Sequence, residues 1–383
     1  MPRAVVIGAG IGGLTAAIAL KQTGWDVSVY ERAPEIREVG AGITLWVNAV
    51  KVLRKLGVSA AIESRAAEVR QSEARTWRGK VLLRTNLGSL GDRLGAPSIG
   101  IHRADLQAEL ASAFGHENIH LGTTCVAYTQ DEKGANALFA EGDEARGQIL
   151  VGADGIKSLV RNQLLGAEQP RYAGYTAWRG VASIDRPEVP LGMTAVAMGR
   201  GSQVGMLPIG GGRTYWFATA NVPAGEVAGS GGHKADLLAR FKDWWPAFPA
   251  AVEATSESAI LRNDIVDRLP VRKWTDKRVT LLGDAAHPTT PNLGQGACQA
   301  IESAYVLAKC LKEAETAEGG LLAYEQARFD RTAKITKQSW KLGRMFAYEN
   351  RIKCWLRDRI FGLMGFFPGT ALREMAKIVD VEV

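Results

Sequence analysis

The chain has 383 residues, of which 46% are hydrophobic and 23% charged, enough to bury a substantial core and to form two domains of an ordinary globular protein. Lysine plus arginine exceed aspartate plus glutamate by 47 to 40, but the excess is scattered, which argues against a nucleic-acid-binding face and suits small anionic ligands. Cys125, Cys298, Cys310 and Cys354 lie far apart with no CxxC pair, so neither a disulfide framework nor a zinc ribbon is indicated, and a reducing cytoplasm is expected.

A strand pattern begins almost at Met1, leaving no room for a signal peptide. The β-branched run at residues 3–7 ends in Gly8-Ala9-Gly10-Ile11-Gly12-Gly13, and a helical pattern at 14–23 and a strand at 26–30 closed by Glu31 follow. This is GxGxxG in its full dinucleotide-binding context. Gly8 makes the tight turn, Gly10 admits a pyrophosphate to the backbone, Gly13 lets helix and strand pack, and Glu31 is placed for the ribose hydroxyls. Residues 37–44 read as a glycine-punctuated loop in which Arg37 holds a phosphate or is simply solvated, leading into an amphipathic pattern at 47–56.

Residues 67–99 read as strands with a charged connection that leaves the first domain. A helix is expected from Ile101 to about Phe114, and Arg103 in its first turn opposes the helix dipole, which calls for an anionic partner or solvation. His116-Glu117-Asn118-Ile119-His120 matches HExxH, yet it follows a finished helix and enters a strand, so the two histidines are not expected to share a face. After a strand at 123–129 and a polar hairpin, the run 148–153 ends at Asp154-Gly155, with Ser158 and Arg161 beyond. That cluster suits phosphate and ribose contacts, or an N-capped helix with Arg161 exposed.

From 171 to 222, strand candidates at 175–184, 194–198, 203–208 and 214–221 are separated by glycine-rich turns, which predicts an antiparallel sheet that roofs a pocket. A helix is expected at 234–245, and after residues 264–269 the chain returns to the first domain at Arg278. There Leu281-Leu282-Gly283-Asp284 ends a strand, and Pro291-Asn292-Leu293-Gly294-Gln295-Gly296 opens a long helix at 297–314, followed by another at 321–347. Glycines at a helix mouth admit an electron-rich group to the backbone amides, and Asp284 is placed to accept from a ribityl or ribose hydroxyl. The tail from Arg351 mixes bases with apolar residues. It is too short for the ~20-residue span of a bilayer and reads as a capping helix or as a contact with a membrane surface or a partner.

Over residues 3–345 the chain resembles the class A flavoprotein monooxygenases of the para-hydroxybenzoate hydroxylase type. The likeness rests on GxGxxG with Glu31, on Asp154-Gly155 with Ser158 and Arg161, and on Gly283-Asp284 with Pro291 and Gly294-Gln295-Gly296. It is nearest the group of FAD-dependent urate hydroxylase, 3-hydroxybenzoate 6-hydroxylase and zeaxanthin epoxidase.

The resemblance implies an α/β fold: a Rossmann-like FAD-binding domain at 1–70, 100–168 and 273–345, an inserted antiparallel-sheet substrate domain at 71–99 and 169–272, and C-terminal helices at 346–383. FAD would be held by Gly8, Gly10, Gly12, Gly13, Glu31, Arg32, Arg37, Thr44, Arg103, Val126, Asp154, Gly283, Asp284, Pro291, Gly294, Gln295 and Gly296. Arg103 would meet the pyrophosphate, Asp284 the ribityl chain, and the loop 291–296 the isoalloxazine edge. NAD(P)H would reduce the flavin, O2 would add at C4a, and the hydroperoxide would hydroxylate an aromatic small molecule with no metal. Epoxidation, or a reductase or desaturase reaction on an apolar substrate, is the alternative.

The substrate-binding arginine of the urate enzyme falls at Gln203 while its tyrosine is kept as Tyr215, so these two residues and Pro291 are the expected catalytic positions and a neutral aromatic is the expected substrate. Trp178, Trp216 and Tyr215 are expected to form the apolar roof or, for the tryptophans, ordinary core. A cytoplasmic monomer or homodimer is expected.

Overall fold

The computed structural model describes residues 1–36, 41–184, 189 and 192–381, so Arg37 lies outside the described residues. The runs RAVVI, DVSVY and ILVG are buried on both faces beyond the exposed first residue of the first two, as strands covered on two sides must be. They pair in parallel, with Arg3–Ile7 between Asp26–Tyr30 and Ile149–Gly152. Val279–Leu281 extends the sheet in parallel on one side and Ile119–His120 on the other, with Thr275–Asp276 antiparallel at the far edge. The carboxyl ends of four adjacent strands therefore converge, bringing Gly8, Glu31, Asp154 and Gly283 to one edge of the sheet. Helices Ile11–Gln22 and Gly296–Glu313 start at that edge and pack together, with Gly12 against Ala300.

A second sheet has seven strands in the order Leu261–Asp267, Arg171–Ala182, Thr214–Ala220, Ser202–Pro208, Met193–Met198, Gln71–Thr76, Val81–Asn86. It is antiparallel except that Met193–Met198 runs parallel to Gln71–Thr76, which corrects the expectation of a purely antiparallel sheet. The two strands belong to separate excursions from the first sheet, so no hairpin dictates their direction.

Side-chain parity divides this sheet. Trp178 and Trp216 lie on the face covered by helices Gly232–Phe241 and Ala247–Glu253, where Trp216 packs edge-on to Phe248 and donates to the Thr255 hydroxyl at 2.8 Å. Neither tryptophan is a roof; both are core. The opposite face, which carries the odd-numbered residues of Arg171–Ala182, Ser202–Pro208 and Thr214–Ala220, looks toward the first sheet.

Three short strands, Gly42–Leu45, Ile99–His102 and Ala67–Glu68, form a small sheet between the two layers. Residues 42–45 are thus a strand rather than a loop, and the helix begins at Arg103 rather than Ile101. Two glycines explain why this joint is possible: a Cβ on Gly42 would overlap the Tyr215 side chain, and one on Gly100 would overlap the Pro208 carbonyl. The helix Leu87–Leu94, capped by Asn86, also interrupts what read as strands alone. His116–Asn118 is a single 3-10 turn and His120 is a strand residue stacked on Tyr30 at 4.6 Å. Among the described residues no group of three or more His, Cys, Asp and Glu is arranged to hold a metal ion. Helices Ala317–Phe346, Arg351–Phe366 and Pro368–Val379 end the chain, and no described helix is long and apolar enough to cross a membrane.

Candidate functional site: a dinucleotide cleft under an aromatic wall

The cleft is built from strand ends. Gly8 has φ +107°, and a side chain there would meet the Ala153 carbonyl at 2.5 Å; one on Gly13 would overlap the Gly8 carbonyl. Both glycines are dictated by close packing. A Cβ on Gly10, by contrast, would have no heavy atom within 4 Å, so the backbone there faces open space. Gly12 fits closely against Leu282 and Ala300, which gives it a packing role between helices. The helix Ile11–Gln22 has no side-chain cap, and neither has Gly296–Glu313. Two sets of first-turn N–H groups are therefore left for an electron-rich ligand.

Glu31 fastens the glycine turn from the neighbouring strand: one carboxylate oxygen accepts from the Ala9 N–H at 2.9 Å and the other from the Ala33 N–H at 3.0 Å. Each oxygen keeps a further lone pair. Arg32 beside it is exposed. Asp284 follows Gly283, whose φ is +63°. Its side chain is exposed, yet surrounding protein desolvates it enough to raise its carboxyl, against the opposing pull of the Arg103 guanidinium. A carboxylate that is accessible and desolvated at once suits a recessed ligand site, and Arg103 is near enough for its charge to act there. Thr44 is half-buried on its short strand, and Val126 is the residue skipped by the strand register, which frees its backbone from the ladder.

Three side chains near the cleft carry internal hydrogen bonds. The Asp154 carboxylate accepts from the Ser158 hydroxyl and from the N–H groups of Leu159 and Val160, so it caps the helix Leu159–Leu165; burial raises it and these bonds hold it back. Arg161 is not exposed on that helix. It is 2% accessible and donates to the carbonyls of Ala285 and Ala286 at 2.9 and 3.3 Å, fixing the loop that carries Asp284. The Gln295 side chain also turns inward, accepting from Asn48 at 3.0 Å and Gln299 at 3.1 Å, so only its backbone faces the helix mouth.

Behind the loop, Glu302 is fully buried between Arg328 and Arg331 at 2.8 and 2.7 Å. Burial alone would raise its carboxyl, but the two arginines and Asn48 hold it at about 2. Pro291 is exposed at the start of the turn Pro291–Leu293, and Gly294 follows with φ +62° against the Trp46 indole. Asn292 locks this loop to the second sheet by donating to the Tyr175 hydroxyl at 2.9 Å. Sequence reasoning missed Tyr175 and Asn292 and gave Arg161 a ligand or solvent role, because each acts across layers.

The odd face of the second sheet forms the wall over the loop, with Gln203 opposite Thr219, Leu207 opposite Tyr215, and Phe217 lying across Gly205. Gln203 and Tyr215 share that face, as parity requires, but stand four residues apart along the strands, about 13 Å. Gln203 lines a small cavity with Tyr175, Thr219, Asn221 and Phe346, and its carbonyl oxygen is buried without a partner. At the other end burial raises the Tyr215 phenol, while the charge of Arg179, on the same face opposite Phe217 and donating to Asn263 at 2.9 Å, opposes the shift.

The open backbone at Gly10, the two uncapped helix mouths, Asp284 and Arg103 are features that could hold a dinucleotide. Residues 2–339 match the family model described as FAD binding domain. The chain is 40% identical over 360 residues to an aurachin C monooxygenase/isomerase of Stigmatella aurantiaca, covering 94% of each chain. It is 36% identical over 341 residues to an FAD-dependent urate hydroxylase of Klebsiella pneumoniae, covering 88% of this chain and 89% of that one. The crystal structure of Klebsiella pneumoniae HpxO complexed with FAD and uric acid superimposes with a TM-score of 0.94 at 32% identity, over 99% of this chain and 96% of the other. The chain therefore belongs to the FAD-binding-domain family, among the class A flavin-dependent aromatic monooxygenases, and is an FAD-dependent monooxygenase.

Proposed function

We propose that this monooxygenase hydroxylates an electron-rich aromatic or heteroaromatic small molecule held between the loop 291–296 and the odd face of the second sheet. The observation that carries the reading is the composition of that wall: Leu207, Phe217 and Val181 are apolar, and the polar groups are few, with Gln203, Thr219 and Tyr175 at one end, Arg179 beside Phe217 in the middle and Tyr215 at the other end. An apolar slot with a few converging polar groups orients a flat ring and excludes water. The named substrates of the relatives, urate and aurachin C, differ, so the family alone does not choose between ligands.

The residues proposed to hold FAD are Gly10 and the first turn of Ile11–Gln22 for the pyrophosphate, with Arg103; Glu31 and Arg32 for the adenosine ribose side, with Val126 and Thr44 along the groove; Asp284 for the ribityl chain; and Pro291, Gly294 and the amides at Gln295 and Gly296 for the ring. FAD supplies the redox chemistry when bound: the two electrons of NAD(P)H pass to O2, one oxygen atom enters the substrate and the other leaves as water. The protein positions and shields. Tyr215 stays protonated and offers its hydroxyl to the substrate, and Gln203 offers an unpaired carbonyl at the other end.

The first sheet is proposed to form the cofactor domain and the second the substrate domain. Four free cysteines suit a cytoplasmic protein, and a monomer or homodimer is proposed. Because Arg179 stays on the wall, the loss of an arginine at Gln203 does not leave the pocket without a cation.

The test is a pair of variants assayed with the best substrate from an aromatic panel. Tyr215→Phe should divert electrons to peroxide or weaken substrate-stimulated NAD(P)H oxidation about tenfold, leaving FAD content unchanged. Gln203→Arg should disfavour the native substrate. Wild-type turnover and coupling in both variants would place the substrate elsewhere.

A further inference from the structure

The helix Arg351–Phe366 is held by one side only. On that side Cys354 and Arg357 are buried, the Arg357 guanidinium donates to the Gly199 carbonyl at 3.0 Å, and Gly365 lies so close to the Leu82 carbonyl that a Cβ would come within 2.7 Å of it. The other side is open. Ile352, Trp355, Leu356, Ile360, Leu363, Phe366 and Phe367 are 46–81% accessible, seven of the fourteen exposed large hydrophobic residues among those described. At 3.6 residues per turn the seven fall within an arc of about 140°, one continuous apolar stripe. A stripe on a helix anchored this firmly is a presented surface.

Its charges choose the occupant. Arg351 and Lys353 are exposed at the two edges of the stripe, and Arg359 lies over the Trp355 ring at 5.3 Å. The only acid between residues 351 and 367 is Asp358, which is paired with Arg357 at 2.9 Å. A second copy docking through the same face would set these cations against their own kind. An anionic bilayer supplies the opposite charge, takes up the apolar stripe at the headgroup boundary, and suits a tryptophan there.

We propose that the outward face of Arg351–Phe366 is a docking surface for an anionic lipid bilayer, on which the enzyme lies without spanning it. The helix is coupled to the site: Phe346, which lines the cavity beside Gln203, meets Phe361 of this helix at 6.4 Å between ring centroids. Docking therefore sets the Gln203 end of the candidate substrate pocket next to the membrane, a consequence that rests on the proposed function, whereas the docking itself does not.

The experiment is sedimentation of the FAD-loaded protein with vesicles of phosphatidylcholine alone or mixed with phosphatidylglycerol, with no substrate present. The protein should sediment with the phosphatidylglycerol vesicles and be released by salt. The double variants Trp355→Ser/Phe366→Ser and Arg351→Glu/Lys353→Glu should each bind at least tenfold more weakly while keeping their bound flavin. Wild-type protein left in the supernatant with both vesicle types would overturn the proposal. So would variants that bind as wild type, or a wild-type dimer that Trp355→Ser/Phe366→Ser dissociates, since the face would then be a self-interface. Vesicle binding without hydroxylation of any aromatic would fail the proposed function and leave the docking surface standing.

Discussion

Glu31 shows how one side chain serves both fold and ligand. Its two oxygens already hold the Ala9 and Ala33 amides, so it fixes the glycine turn before any cofactor arrives, and its remaining lone pairs face the cleft. Glu31→Ala removes charge-assisted hydrogen bonds worth about 1.5–3 kcal/mol each, and FAD affinity should fall by roughly tenfold to a hundredfold in a fluorescence titration. An unchanged affinity would show that the carboxylate is a turn anchor alone. The glycine turn and Glu31 were legible in the sequence because strand, turn, helix and acid are contiguous there. Arg161 was not: its helical position says nothing of the carbonyls of Ala285 and Ala286 that it reaches from another segment. Arg179 was missed for the same reason, since only the strand register sets it on the face of Tyr215.

At the scale of elements, the helix Gly296–Glu313 is the part most dependent on buried charge. Its Glu302 joins Arg328 and Arg331 of the next helix and Asn48 of the helix Val47–Lys55, and thereby holds three helices behind the loop 291–296. Removing one partner of such a set strands the others, so Glu302→Gln should cost about 3–5 kcal/mol in urea unfolding near neutral pH. The carboxyl is depressed from 4.5 to about 2 in the folded chain, so its contribution is complete above about pH 4.5 and is lost as the pH falls toward 2. The acid limb of stability should therefore be flatter in the variant; equal stability and an unchanged limb would make the cluster neutral. Long elements with strong periodicity were readable from sequence, and so was the alternation that puts Gln203 and Tyr215 on one face. The strands Gly42–Leu45 and Ile99–His102 were not, because four residues carry no period and their glycines are chosen by Tyr215 and Pro208 in another layer. The same alternation, followed through the pairing of Trp178 with Ala218, puts the tryptophans on the far side.

For the whole molecule, the proposed function divides the work between two sheets: the first gathers four strand ends at one edge, and the second faces it with a largely apolar wall that carries few polar groups. The relatives are hydroxylases and monooxygenases, which favours oxygen transfer over a reductase or desaturase reaction. The most direct test follows NAD(P)H and O2 consumption together with peroxide release while aromatic and heteroaromatic compounds are offered to the purified yellow protein. At least one compound should accelerate NAD(P)H oxidation while peroxide falls well below the NAD(P)H consumed and a hydroxylated product appears. A colourless protein that FAD cannot reconstitute, or a flavoprotein that returns every electron pair as peroxide whatever compound is added, would contradict the account.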